Sequence, residues 1–297
     1  MMRTILLAWN CAATAAALSL AAVASAQQNA GVIKVDVRLV EVYATVFNHK
    51  GYYVDGLGRD SFEVYEDGKR QNIFSFEAEA QALSCAILLD TSGSMANALP
   101  HVKNSIVNFI DQLNPQDSLA IYTFDQRLVT RQDYTTDKDM AKRAVLRTRA
   151  EGATALFDAL SEVSLEASAR HGKKAIVVFT DGDDNSSALT ANATATRARK
   201  LGIPLYAIAA GEATRSKKLR GILEELSQHT GGASYEVKKP KDIDAMFAAI
   251  TQDLQHLYMF SYQAPSGSSS GQWRKIDLVV RGPQKYSVRA KEGYYPD

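Results

Sequence analysis

The sequence predicts an α/β fold, a doubly wound and mostly parallel sheet, with a small β-sandwich built from the N- and C-terminal flanking segments. Three observations predict it. Continuous apolar runs at 85–89, 119–124, 175–179 and 205–210 read as strands covered on both faces. Segments of helical period separate those runs, and strand–helix alternation gives a parallel sheet with helices on both sides. Both flanks carry β periodicity only, and each is too short to bury a core alone.

The chain opens with one charge, Arg3, followed by a run rich in Ala and Leu through Val23. Ala24-Ser25-Ala26 fits a small-x-small cleavage pattern, so 1–26 is expected to be a signal peptide and Gln27 the first mature residue. An uncleaved membrane anchor is the alternative. Cleavage implies export to the periplasm, the cell surface or the medium, with no membrane span left in the mature chain. It also removes Cys11, leaving Cys85 without a disulfide partner. Cys85 sits in a strand pattern and reads as a small buried residue.

The N-terminal β segment occupies 27–80. Val35, Val37 and Leu39 alternate with polar residues, then the phase shifts to Val40, Val42, Ala44 and Val46, which predicts a bulge or a strand buried on both faces. Asn48-His49-Lys50-Gly51 reads as a turn. Asp67-Gly68 lies between the strand-like runs 62–65 and 73–76 and predicts a hairpin.

The α/β domain is expected over 81–256. Its clearest helix places Leu99, Val102, Ile106, Phe109, Ile110 and Leu113 on one face, with Pro100 in the first turn. Another starts near Thr154 and a third runs from Leu223. The C-terminal β segment, 257–297, carries an aromatic strand at 257–262, a Gly/Ser-rich loop and alternating residues at 276–280 and 286–290, and it is expected to pack with the N-terminal one.

Composition narrows the function classes. Lys+Arg number 34 and Asp+Glu 33, so nothing argues for a nucleic-acid surface. The five histidines are scattered without zinc-type spacing.

The chemistry concentrates at strand ends. The first apolar run stops at Asp90-Thr91-Ser92-Gly93-Ser94, and the third at Thr180-Asp181-Gly182. Glu151-Gly152-Ala153-Thr154 introduces a helix between them. Open α/β sheets bind ligands beyond the carboxyl ends of their strands. These loops can therefore bring Asp90, Ser92, Ser94, Thr154 and Asp181 to one point. Two carboxylates and three hydroxyls form a hard oxygen site suited to Mg²⁺, with Mn²⁺ or Ca²⁺ also possible. So few carboxylates leave the metal incompletely neutralised, and an acidic side chain of a protein partner could complete the shell. No candidate general base lies in these motifs, so no enzymatic activity is expected. A dehalogenase-type phosphatase wants a second acid where Ser92 stands, and an aspartic protease wants Asp-Thr-Gly without the intervening Ser92.

Asp90-Thr91-Ser92-Gly93-Ser94, Thr154 and Asp181-Gly182 together resemble the von Willebrand factor type A domain and its metal-ion-dependent adhesion site. The resemblance spans roughly 82–255. It implies hydroxyl ligands from Ser92, Ser94 and Thr154, with Asp90 and Asp181 coordinating directly or through water. Phe62 to Gly68 and the tail Gly293-Tyr294-Tyr295-Pro296 look like secreted von Willebrand factor A-related proteins of acidobacteria, which speaks to architecture more than activity. The expectation is an exported, metal-dependent binding module that captures an acidic group, its β-sandwich orienting it or extending the contact surface. A scaffold component of an envelope complex with a purely stabilising metal stands as the alternative.

Overall fold

A computed structural model describes residues 39–78, 81–265 and 271–296; the expected signal segment and the start of the Val35–Leu39 alternation lie outside them. The central sheet is built from the apolar runs. β5 (Leu83–Asp90), β6 (Ser118–Phe124), β8 (Lys173–Thr180), β9 (Leu205–Ala209) and β10 (Ala233–Glu236) are parallel. β7 (Leu128–Thr135), which the sequence reading did not pick out, joins β6 antiparallel at one edge. The strand order is β10-β9-β8-β5-β6-β7.

Residues of β5 show why its run is unbroken. Cys85, Ile87 and Leu89 face a core shared with α1 (Leu99–Gln112), α2 (Lys138–Leu146) and α6 (Ile243–Gln255). Ala86 and Leu88 face a second core under α3 (Leu156–Ser168), α4 (Ala191–Leu201) and α5 (Lys217–Thr230). A strand covered by helices on both faces has no polar side to display. Burial pushes the Cys85 thiol well up, as befits a packing residue. Among the described residues, no helix is long and apolar enough to cross a membrane.

The flanks fold together. β1 (Leu39–Asn48) lies between β11 (Leu257–Gln263) and β13 (Tyr286–Ala290), with β4 (Ile73–Glu77) outside β11. The opposing sheet has β2 (Phe62–Glu66) between β12 (Arg274–Val280) and β3 (Lys69–Gln71), with β14 (Gly293–Tyr294) at the far edge. Val40, Val42, Phe62, Val64, Phe260 and Ile276 from the two sheets share one core, which makes the pair a sandwich.

Two local expectations are refined. The phase shift in β1 reflects burial of both faces, since Tyr43 and Thr45 are as buried as Val42 and Val46. Tyr43 packs with Leu257 and Met259, away from the sandwich core. The hairpin at Asp67-Gly68 joins β2 to β3, not to the 73–76 run, because after Asn72 the chain crosses to the other sheet. Asp67 (φ 48°) and Gly68 (φ 77°) both take left-handed backbone, as a two-residue hairpin turn of this kind requires.

The sandwich sits at the amino ends of the parallel strands. Lys174 at the start of β8 pairs with Glu41 at 2.8 Å, and the Tyr43 hydroxyl donates to the Gly172 carbonyl. Arg289 of β13 pairs with the buried Asp253 of α6 at 2.5 Å. β8 has 8 residues and spans roughly 25 Å at about 3.3 Å per residue. The sandwich therefore lies a full strand length from the carboxyl ends and leaves the strand-end loops uncovered.

Candidate metal centre

All five candidate residues converge at the carboxyl ends of β5 and β8. Asp90 closes β5 fully buried, with Ser92, Thr154 and Asp181 also buried and Ser94 exposed on top. The Ser92 and Ser94 hydroxyls lie 3.0 Å apart, and Ser94 Oγ donates to Asp181 Oδ1 at 2.7 Å. The Thr154 hydroxyl faces the same space. A Cβ placed on Gly182 would stand 3.5 Å from both Ser94 Oγ and Thr154 Oγ1.

Three loops are stitched together by their backbones. The Gly93 amide donates to the Gly152 carbonyl and the Glu151 amide to the Thr91 carbonyl, tying the Asp90 loop to the Thr154 loop. Asn185 and Ser186 amides donate to the Thr154 carbonyl, and Asn185 Oδ1 accepts from the Thr154 amide at 2.9 Å. Thr154 is thus held from the 182–187 loop.

Thr180, which sequence reasoning did not single out, orients the first of the candidate acids. Its hydroxyl donates to Asp90 Oδ2 at 2.6 Å, while the Ser92 amide donates to Asp90 Oδ1 at 2.8 Å. Both carboxylate oxygens are oriented by donors and keep lone pairs for a cation. The signal was register: β5 and β8 pair Leu89 with Phe179, so the next step sets Asp90 beside Thr180.

Asp184, in the loop that follows the site, has a local structural role. Its carboxylate accepts from the Phe157 amide at 3.0 Å and from the Ser187 hydroxyl at 2.5 Å, capping the start of α3 from across the loop. Asp158 returns the contact by accepting from the Ala188 and Leu189 amides. Asp183 beside it is exposed.

Burial pushes the Asp90 carboxyl above the usual range, against the Thr180 and Ser92 donors that pull it down; Asp181 adds to the rise. Burial also raises the Asp181 carboxyl, with Glu212 contributing and Ser94 opposing. No basic side chain among the described residues pairs with either acid. Two adjacent buried carboxylates without a counter-charge, bordered by three hydroxyls, fit a hard divalent cation. Asp90 and Asp181 are the only acids of the set, and no cluster of three or more His, Cys, Asp or Glu occurs among the described residues. The donor set is therefore hydroxyl-rich.

The von Willebrand factor type A domain model matches residues 85–249, more than half of the 297-residue chain. The chain belongs to the von Willebrand factor type A domain family. Solved structures bear out the family's fold. A von Willebrand factor type A protein from Catenulispora acidiphila superposes with a TM-score of 0.51 at 15% identity, covering 87% of this chain and 75% of that one. Proximal thread matrix protein 1 of the mussel byssus, solved with its MIDAS motif occupied by zinc, gives 0.52 at 20% identity over 62% of this chain and 48% of that one. A point variant of the PilB minor pilin from Streptococcus sanguinis gives 0.50 at 13% identity, over 59% and 62% of the two chains. No curated protein matches the sequence. The type A domain accounts for the central sheet and its six helices, while the sandwich comes from segments outside the matched range.

Proposed function

We propose that this protein is an exported, metal-dependent binding module of the adhesion type, whose metal captures a carboxylate of a protein partner. One observation carries the reading: Asp90 and Asp181, both buried, lie close enough to repel, with the Ser94 hydroxyl donating to Asp181 and no basic residue to neutralise them. Asp90, Ser92, Ser94, Thr154 and Asp181 would hold Mg²⁺, or Mn²⁺ or Ca²⁺. The bound cation supplies a Lewis-acidic point for an incoming carboxylate, and the exposed side of the site at Ser94 is where a partner would enter. The byssus and pilin proteins of similar fold support an assembly or attachment role outside the cytoplasm. Binding is favoured over catalysis in this reading because no candidate general base lies in the strand-end motifs that carry the five residues. Calorimetry of Mg²⁺ with the mature protein and with Asp90→Ala tests the site: the variant is expected to lose binding, and equal affinity in both would overturn the reading.

The burial of both acids also favours a second reading, in which the cation chiefly steadies the loops of a scaffold. Chelation separates the two. Loss of a partner captured from envelope extract at unchanged melting temperature supports adhesion, whereas a lowered melting temperature with the partner retained supports the scaffold.

A further inference from the structure

The edge strand β7 and helix α2 enclose an open groove of about 260 Å³ lined by Arg131, Gln132, Met140, Arg143, Ala144 and Arg147. Three of its six lining residues are arginines, brought together from a strand and a helix. Arg131 Nε donates to Thr123 Oγ1 at 2.8 Å, which fixes that side chain against the sheet. Arg143 and Arg147 are exposed and form no ion pair among the described residues. The nearby acids Asp111 and Asp139 are both engaged by Lys142 at 2.9 Å. Lys142 offsets only one of these two acids and Arg143 also acts on Asp139, so the three arginines are partly offset and the groove keeps a net positive charge in a chain whose charges otherwise nearly cancel. Its long side is β7, the last strand of the sheet, with no strand beyond it among those described. The arginines also lead to the metal centre: α2 ends beside Arg147, and four residues on, the Glu151 amide donates to the Thr91 carbonyl.

We propose that this groove is a second contact for the same protein partner and takes an extended, acidic segment of it. The inference rests on the reading that the metal centre captures a partner's carboxylate, and it adds where the chain beside that carboxylate runs. An extended segment suits a groove bounded by a free strand edge, because edge strands offer main-chain hydrogen bonds along their length. Its acidic side chains suit three arginines, whose planar guanidinium groups bind carboxylates in bidentate geometry.

The test is fluorescence anisotropy with a labelled polyaspartate peptide, on the mature protein in Mg²⁺. Charge reversal by Arg131→Glu, Arg143→Glu and Arg147→Glu together is expected to weaken binding about tenfold or more and to flatten its salt dependence. A control reversal of equal charge at the exposed residues Lys217, Lys218 and Lys239 is expected to change affinity far less. Circular dichroism checks that both variants fold. The groove is overturned if polyaspartate does not bind, or if groove and control reversals weaken it equally. It also falls if a single-stranded oligodeoxythymidine of matched charge binds as tightly. The metal reading fails separately: groove-dependent binding that persists in Asp90→Ala and in chelator removes the metal contact and keeps the groove. Loss in Asp90→Ala without an effect of the groove reversal does the opposite.

Discussion

The Tyr294 hydroxyl donates to the Glu66 carboxylate at 3.1 Å, across 228 residues of chain. Glu66 ends β2, Tyr294 belongs to β14, and Tyr262 of β11 donates to the same oxygen at 2.7 Å. Arg274 pairs with the other oxygen at 3.1 Å. A buried acid is tolerable when charge and donors surround it in this way. Two sequence signatures, Phe62 to Gly68 and Gly293 to Pro296, therefore describe one network that closes the sandwich.

Breaking this network is expected to destabilise the protein without touching the metal centre. Tyr294→Phe removes one hydrogen bond to a charged group and should cost about 1.5–3 kcal/mol. Glu66→Ala takes the acceptor from the Tyr262 and Tyr294 hydroxyls while Arg274 keeps Asp67 at 2.8 Å, and it should cost about 1–3 kcal/mol for each hydroxyl left unpaired. Urea unfolding followed by circular dichroism reads both, and Mg²⁺ calorimetry on the folded variants should be unchanged.

Gly293 precedes Tyr294 because no side chain fits there. An added Cβ would lie 2.2 Å from the Arg274 carbonyl oxygen and 2.5 Å from the Trp273 ring. Gly293→Ala should therefore displace β14 and lower the melting temperature by more than Tyr294→Phe does. A thermal melt comparing the two variants decides this, and a smaller effect of Gly293→Ala would show that β14 can shift at little cost.

Thr180 should matter to the metal through Asp90. Thr180→Val keeps the volume but removes the donor to Asp90 Oδ2. Losing such an outer hydrogen bond costs about 10–100-fold in metal affinity. Thr180→Ser, which restores the hydroxyl, should recover most of it. Equal Mg²⁺ titrations of wild type and Thr180→Val would refute the positioning role.

Lys291 gives a pH dependence of definite sign. It is buried beside the C-terminal turn of α4, where a Cβ on Gly202 would stand 2.7 Å from its Nζ. Burial, with Lys174 adding and Glu41 opposing, pushes its pKa down to about 8. Below pH 8 the ammonium is charged in folded and unfolded chains alike, and burying it carries its full cost. Between that value and the ordinary lysine range near 10.4 the folded chain sheds the proton first. The unfolded state then binds more protons, so stability rises with pH by up to roughly 3 kcal/mol from this group. Melts between pH 7 and 10 should show the rise in wild type and its loss in Lys291→Met.

Much of the fold and of the site was legible because it is written locally. Cys85 to Leu89 alternates between two helical layers and so must be apolar throughout. Asp90, Ser92 and Ser94 follow at once, and parallel strands bring their carboxyl-end loops to one edge. What escaped is relational. Nothing near Thr180 in sequence says that Asp90 lies beside it, since that depends on the β5–β8 register. Asp184 looks like a loop acid until the start of α3 is placed across from it. The short run Lys69-Arg70-Gln71 shows little strand periodicity, yet it takes the hairpin position because Ile73 and Phe76 reach the shared sandwich core from the other sheet.

By itself, then, the sequence determined the α/β class, the pairing of the two β flanks and five candidate residues that meet at one sheet edge, because periodicity and strand-end loops are short-range properties. Only the tertiary structure decided which end of the sheet the sandwich occupies, what holds Asp90, how Glu66 is satisfied and that Arg131, Arg143 and Arg147 share a groove. Those outcomes depend on register and on the packing of segments far apart in the chain, and short-range periodicity carries no record of either.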